Sequence, residues 1–80
     1  IDLSAREYAL LAHLMRNRGA ALTRQQLLDE VWGAEPDVYS NVVDLYIHYL
    51  RDKFSEAGYE DLIKTVRGVG YRLEEIHDAK

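Results

Sequence analysis

The chain has 80 residues, 48% of them hydrophobic, no cysteine, and a formal net charge of −4. This length suits one domain, residues 1–80, with a modest core, and without cysteine there are no disulfides or thiolate metal sites, which fits a reducing compartment. No apolar run approaches the roughly 18 residues that span a bilayer and no signal peptide is visible, so we expect a soluble cytoplasmic protein with no membrane partner; a first residue Ile1 instead of methionine leads us to expect a fragment.

Ser4-Ala5-Arg6-Glu7 has the spacing of a capping box, with Ser at the N-cap and Glu three residues on. Tyr8, Leu11, Ala12 and Met15 then follow at helical intervals, widened by Leu10 and Leu14, and predict a first helix. It should stop near Arg18, because Gly19 suits the position after a helix end and Arg16 and Arg18 suit its C-terminal dipole. Residues 20–22 read as a short extended link. Thr23-Arg24-Gln25-Gln26 is a second capping box, opening a short second helix through Leu27, Leu28 and Val31 that Gly33 ends. The loop 33–39 follows, with Pro36 as a helix breaker.

Ser40 or Asn41 can cap a third helix running to Phe54 or Ser55, and Gly58 marks its termination. Residues 63–67 are rich in β-formers, Gly68-Val69-Gly70 is a turn, and residues 71–73 return, which reads as a hairpin. The tail IHDAK is expected to fray. No internal repeat or low-complexity run interrupts this order. The fold class expected is mainly α with a C-terminal β-hairpin: three helices share one core and the hairpin packs on one side. The arrangement suits a helix-turn-helix, although the 33–39 loop is longer than the tight turn of the simplest versions.

The third helix carries more apolar surface than docking requires. With about 100° per residue and Val43 at zero, Ile47, Leu50 and Phe54 fall within about 40° of it and form the buried seam. Opposite lie Asn41, Leu45, His48, Tyr49 and Asp52; Val42, Tyr46 and Lys53 take one flank, Asp44 and Arg51 the other. Leu45 and Tyr49 therefore point away from the core, which suggests a partner surface. The hairpin segment LIKTVRGVGYRL, 62–73, holds Lys64, Arg67 and Arg72 and no acid, so it is a basic element on an acidic body.

Enzymatic readings fare badly. No cysteine nucleophile exists, and Ser4, Ser40 and Ser55 sit where caps and terminators belong. Gly68-Val69-Gly70 lacks the third glycine and following helix of a dinucleotide fingerprint. His13 and His77 share no metal-ligand spacing with His48, so neither metal nor cofactor is expected.

Four motifs in order carry a resemblance: Ser4-Ala5-Arg6-Glu7-Tyr8, LTRQQLLDEVWG (22–33), NVVDLYIHYLR (41–51) and TVRGVGYRL (65–73). Across roughly residues 2–74 the chain resembles the winged-helix effector domain of OmpR/PhoB-type response regulators. The resemblance implies a three-helix winged helix-turn-helix that binds double-stranded DNA as the output of a bacterial two-component system. It implies a receiver domain and a cognate histidine kinase, binding to tandem direct repeats, and an RNA polymerase contact through loop 33–39. It implies that residues 40–54 enter the major groove and the wing, 63–73, the adjacent minor groove. By position, Asn41, Val42, Leu45, Tyr46, His48, Tyr49 and Arg51 match the family's recognition helix, and Arg67 the wing arginine. Arg24, Trp32, Thr65 and Tyr71 match positions that touch or support the phosphate backbone. The family's four-stranded N-terminal sheet is absent or reduced to residues 1–3, most simply by truncation. Many members also carry several arginines on the recognition helix, where this chain has His48, Tyr49 and Asp52, with only Arg51 and Lys53 nearby.

The residue types give this reading a chemistry. Leu45 can meet a thymine methyl, and Asn41 can reach adenine or a phosphate. Tyr49 and His48 offer hydrogen bonds and flat contact. Without an outward arginine, bidentate guanine readout is not expected, so the helix-contacted positions should be rich in A·T. Arg67 at a glycine-cornered turn can enter a narrow minor groove. Trp32 either donates its indole N–H to a phosphate or packs in the core. Tyr71 should be core with its hydroxyl at the edge, and Asp44 should pair with His48 one turn on or with a cation elsewhere. The alternative is a winged-helix module that binds protein, supported by the acidic charge and the Leu45/Tyr46/Tyr49 cluster.

Overall fold

The computed structural model describes residues 2–33, 35 and 37–74. The expectations placed on Pro36 and on the tail therefore fall outside the described residues. Helix α1 (Ala5–Arg16) opens with the predicted box: the Ser4 hydroxyl accepts the Glu7 N–H at 3.1 Å, and a Glu7 oxygen accepts the Ser4 N–H at 2.7 Å. The helix ends earlier than expected. Asn17 is its C-cap and donates its side-chain amide to the His13 carbonyl, while Gly19, at φ 87°, donates its N–H to the Leu73 carbonyl.

The buried face of α1 also differs from the expected stripe. Leu10, Leu14 and Glu7 are buried, whereas Tyr8 and Met15 are exposed. The physical reason is that burying Leu10 and Leu14 outweighs burying Tyr8 and Met15 and carries Glu7 inward with them, where Lys53 donates to its carboxylate at 2.6 Å and offsets the cost.

Strand β1 (Leu22–Thr23) replaces the expected link. It pairs antiparallel with β3 (Gly70–Leu73), Leu22 opposite Tyr71 and Thr23 opposite Gly70, and β3 pairs on its other edge with β2 (Ile63–Val66). The sheet order is thus β1-β3-β2, and the hairpin gains a third strand. Gly70 permits this approach, since a Cβ there would lie 2.1 Å from the Leu22 carbonyl oxygen. Thr23 also caps α2 (Arg24–Leu27), accepting the Gln26 N–H at 2.9 Å while the Gln26 side chain accepts the Thr23 N–H. The second helix continues as a π-helical turn, Leu28–Trp32, and Gly33 ends it at φ 66°.

Helix α3 (Asn41–Glu56) packs Val43, Ile47 and Leu50 into the centre, each no more than 1% exposed, with Phe54 half-buried. Ser40 stands at the N-cap but makes no side-chain cap. Its backbone is helical (φ −60°, ψ −20°), which takes the hydroxyl away from the first-turn amides that an extended N-cap would reach. Leu10 and Leu14 of α1, Leu22 of β1, Leu27 of α2, Trp32, Ile63 of β2, and Tyr71 and Leu73 of β3 complete the core. Among the described residues no helix is long and apolar enough to cross a membrane.

Candidate nucleic-acid interface

Helix α3 presents its outer face largely as the periodicity requires. Leu45 and Tyr49 are 45% and 39% exposed, and Asn41 and His48 are exposed beside them. Tyr46 and Val42 are half-buried on the flank. An aromatic ladder runs from the core outward: the Trp32 and Tyr46 rings meet edge to face at 5.3 Å, and Tyr46 and Tyr49 at 5.4 Å. Trp32 is 6% exposed and belongs to the core, with the Arg6 guanidinium 5.2 Å from its ring, so the packing half of the two expectations for Trp32 holds. Arg6 also pairs with Glu35, fastening the 33–39 loop to α1 at 2.8 Å.

The cations around α3 are engaged inside the molecule. Arg51 donates to the Ile63 carbonyl at 3.1 and 2.9 Å and to the Thr65 hydroxyl at 2.8 Å, both on β2. Lys53 is held by Glu7 and by the Asp2 carbonyl. His48 faces Asp52 at 3.2 Å, so Asp44 does not pair with His48; the cation it takes is Arg24, whose Nε lies 2.7 Å from Asp44 Oδ1. The Tyr71 hydroxyl donates to the same oxygen, and Tyr71 is otherwise buried, as expected of a core ring with its hydroxyl at an edge. Arg72 pairs with Glu74 next door.

Burial pushes the Asp44 carboxyl up, but hydrogen bonds from Tyr71 and Arg24, together with the charge of Arg24, outweigh it and hold the group below its usual range. Burial, then the bond to Asp44, raises the Tyr71 phenol. The bond to Asp44 raises Arg24. The carboxylate and its two donors thus form one charged cluster shared by α2, α3 and β3. Sequence reading expected Asp44 to take His48 or a cation elsewhere, and the second holds; the bond from Tyr71 was missed. The available signal was its place beside Arg51 on the same flank of the helix wheel.

The wing turn is open. The Val69 N–H donates to the Val66 carbonyl at 2.9 Å, and Gly68 takes φ 76°, a conformation that favours glycine. Arg67 stands exposed at this turn, and among the described residues neither it nor Lys64 has an ion-pair partner. The structure therefore gathers Arg24 and Tyr71 on Asp44, and seats Arg51 on Thr65 and beside the Tyr71 ring. It exposes Asn41, Leu45, His48 and Tyr49 on α3, and Arg67 at the tip of the wing.

Comparison with known proteins agrees with this geometry. Residues 1–73 match the family described as transcriptional regulatory protein, C terminal. The response regulator ArlR of Staphylococcus haemolyticus is 51% identical over 71 residues, covering 89% of this chain and 32% of that protein. The chain thus spans about a third of the length of the curated relatives it matches. A crystal structure of the response regulator AdeR DNA-binding domain in complex with an intercistronic region superposes with a TM-score of 0.84 at 29% identity, covering 94% of this chain and 74% of that one. The Klebsiella pneumoniae RstA DNA-binding domain in complex with the RstA box gives 0.78 at 32% identity, covering 92% and 74%.

Proposed function

The chain belongs to the family of C-terminal domains of transcriptional regulatory proteins, and on that premise we propose that it is the sequence-specific double-stranded DNA-binding output domain of a bacterial two-component response regulator. The observation that carries the proposal is the pairing of an exposed α3 face, with Leu45 and Tyr49 outward, with a basic wing whose Arg67 is exposed at the turn. The DNA complexes of the AdeR and RstA domains, which share the fold, support it.

In this reading α3 enters the major groove. Leu45 and Tyr49 offer apolar contact to thymine methyls, Tyr46 and Val42 line the flank, and Asn41 and His48 offer hydrogen bonds to base edges or phosphates. Arg67 enters the minor groove, where the potential is most negative over A·T steps. Arg24 and Thr65, both exposed, face the phosphate strand, while Tyr71, buried with its hydroxyl on Asp44, supports that edge from within and Trp32 supports Tyr46 from beneath. Arg51 serves mainly inside the protein. The bound sites are A·T-rich tandem direct repeats, the 33–39 loop meets RNA polymerase, and a receiver domain answering to a histidine kinase controls the whole in the cytoplasm.

The test is an anisotropy titration against tandem A·T-rich repeats over a range of salt. Binding should weaken as salt rises through counterion release, and Arg67→Ala should cost about 1–3 kcal/mol. Binding that ignores salt, or an Arg67→Ala variant that binds unchanged at physiological salt, would overturn the reading.

A further inference from the structure

Among the described residues two side chains of α3 hydrogen-bond to the wing, and they lie seven residues apart on the helix. Asp44 accepts the Tyr71 hydroxyl, and Arg51 donates to Thr65 and to the Ile63 carbonyl. Seven residues advance about 10 Å along a helix and return to within about 20° of the same direction, so both groups stand on one flank. Their targets also coincide: Thr65 and Tyr71 are directly opposite each other in the β2–β3 register and therefore share a face of the sheet. The Arg51 guanidinium lies 5.5 Å from the Tyr71 ring and that of Arg24 5.9 Å from it. The base of the hairpin is already held by β1 and by Ile63 and Leu73 in the core; the two attachments to α3 fix the angle of its Thr65/Tyr71 face to the helix. Asp44 is moreover a carboxylate beside a surface meant for phosphates, where its charge opposes binding, so its presence there calls for a compensating role.

We propose that Asp44, through Tyr71, is the positioning residue that locks the wing to the recognition helix, so that the major-groove and minor-groove contacts form together. The proposal rests on the DNA-binding reading above. Arg67 is joined to neither group by a hydrogen bond or ion pair among the described residues, so any coupling between them passes through the hairpin's orientation.

The experiment is a double-mutant cycle on the 80-residue chain, with Tyr71→Phe and Asp44→Asn each combined with Arg67→Ala. Binding is measured on an A·T-rich tandem repeat and on a scrambled duplex. In the unchanged protein, Arg67→Ala should lower affinity for the repeat about tenfold; in either variant background, about twofold or less. Asp44→Asn should at the same time tighten binding to the scrambled duplex, because it removes a negative charge, while weakening binding to the repeat. A merely structural loss would scale all affinities and leave the Arg67 effect intact. Melting curves confirm folding, and backbone amide relaxation of the free Tyr71→Phe chain should show added motion at 66–70 relative to α3. An Arg67→Ala effect equal in all backgrounds, or an unchanged wing, would overturn the proposal. If the unchanged protein binds no duplex at low salt, the DNA-binding reading itself falls, and this inference with it.

Discussion

Gly70→Ala should unseat β1. The added Cβ would lie 2.1 Å from the Leu22 carbonyl oxygen and 3.0 Å from the Thr23 Cα. Both are backbone atoms, so no side-chain rotation relieves the contact. A carbon–oxygen contact needs about 3.3 Å, so β1 must withdraw by about 1 Å. Overpacking of this kind costs about 1–3 kcal/mol, and weakening the bridge hydrogen bonds adds about 1 kcal/mol. Leu22, 8% exposed, also begins to lose its cover. The total is about 2–4 kcal/mol. For a domain of this size each kcal/mol shifts Tm by about 4–8 °C, so a fall of roughly 8–32 °C is expected. Far-UV circular dichroism and Trp32 emission report it. Gly68→Ala is the control: no atom lies within 4 Å of its Cβ, and only its φ of 76° opposes the substitution. It should cost about 1–2 kcal/mol, from conformation alone. A Gly70→Ala melt within about 5 °C of the parent, or below the loss at Gly68→Ala, would refute the close-approach reasoning.

Other expectations concern the charged groups and the outer face. The Lys53 hydrogen bond holds the Glu7 carboxyl below its usual value, against burial, with help from Ser4. The folded state therefore binds fewer protons than the unfolded chain just below the unfolded value of about 4.3, and stability falls as pH drops through that range. Glu7→Gln should flatten this acid limb in pH-dependent urea melts and cost about 1–3 kcal/mol near neutrality, at the low end because Lys53 is partly solvated; an unchanged limb would count against the pair. Arg51→Ala should leave the slope of log affinity against log salt unchanged, whereas Arg67→Ala should reduce it by about one, since Arg51 is spent on β2. Replacing thymine by uracil across the repeat removes the 5-methyl groups and should weaken binding by the parent more than by Leu45→Ala; equal losses would remove Leu45 from base readout.

The helices were legible because their signals are local. Ser4 with Glu7 and Thr23 with Gln26 each act across three residues, and any chain that places them so can form the box before a core exists. The same holds for the inward seam of Val43, Ile47 and Leu50 and for the outward Leu45 and Tyr49, which follow from helical periodicity alone. The glycine turn of the wing was also readable, because Gly68 announces its conformation by its type. Periodicity misjudged α1 because it treats every acid as solvent-facing, and Glu7 turned inward only where Lys53, 46 residues away, could meet it.

Composition and local spacing thus determined three helices, a hairpin, and which side of α3 stays free. Tertiary structure alone decided that β1 joins the sheet over Gly70, that Arg51 and Lys53 are spent inward, and that Asp44 takes Arg24 and Tyr71, the latter 27 residues away. The reason is one of range. Caps and helical faces are set by neighbours a few residues apart, whereas the choice of partner for a charge depends on which distant segments the packed core brings within about 3 Å.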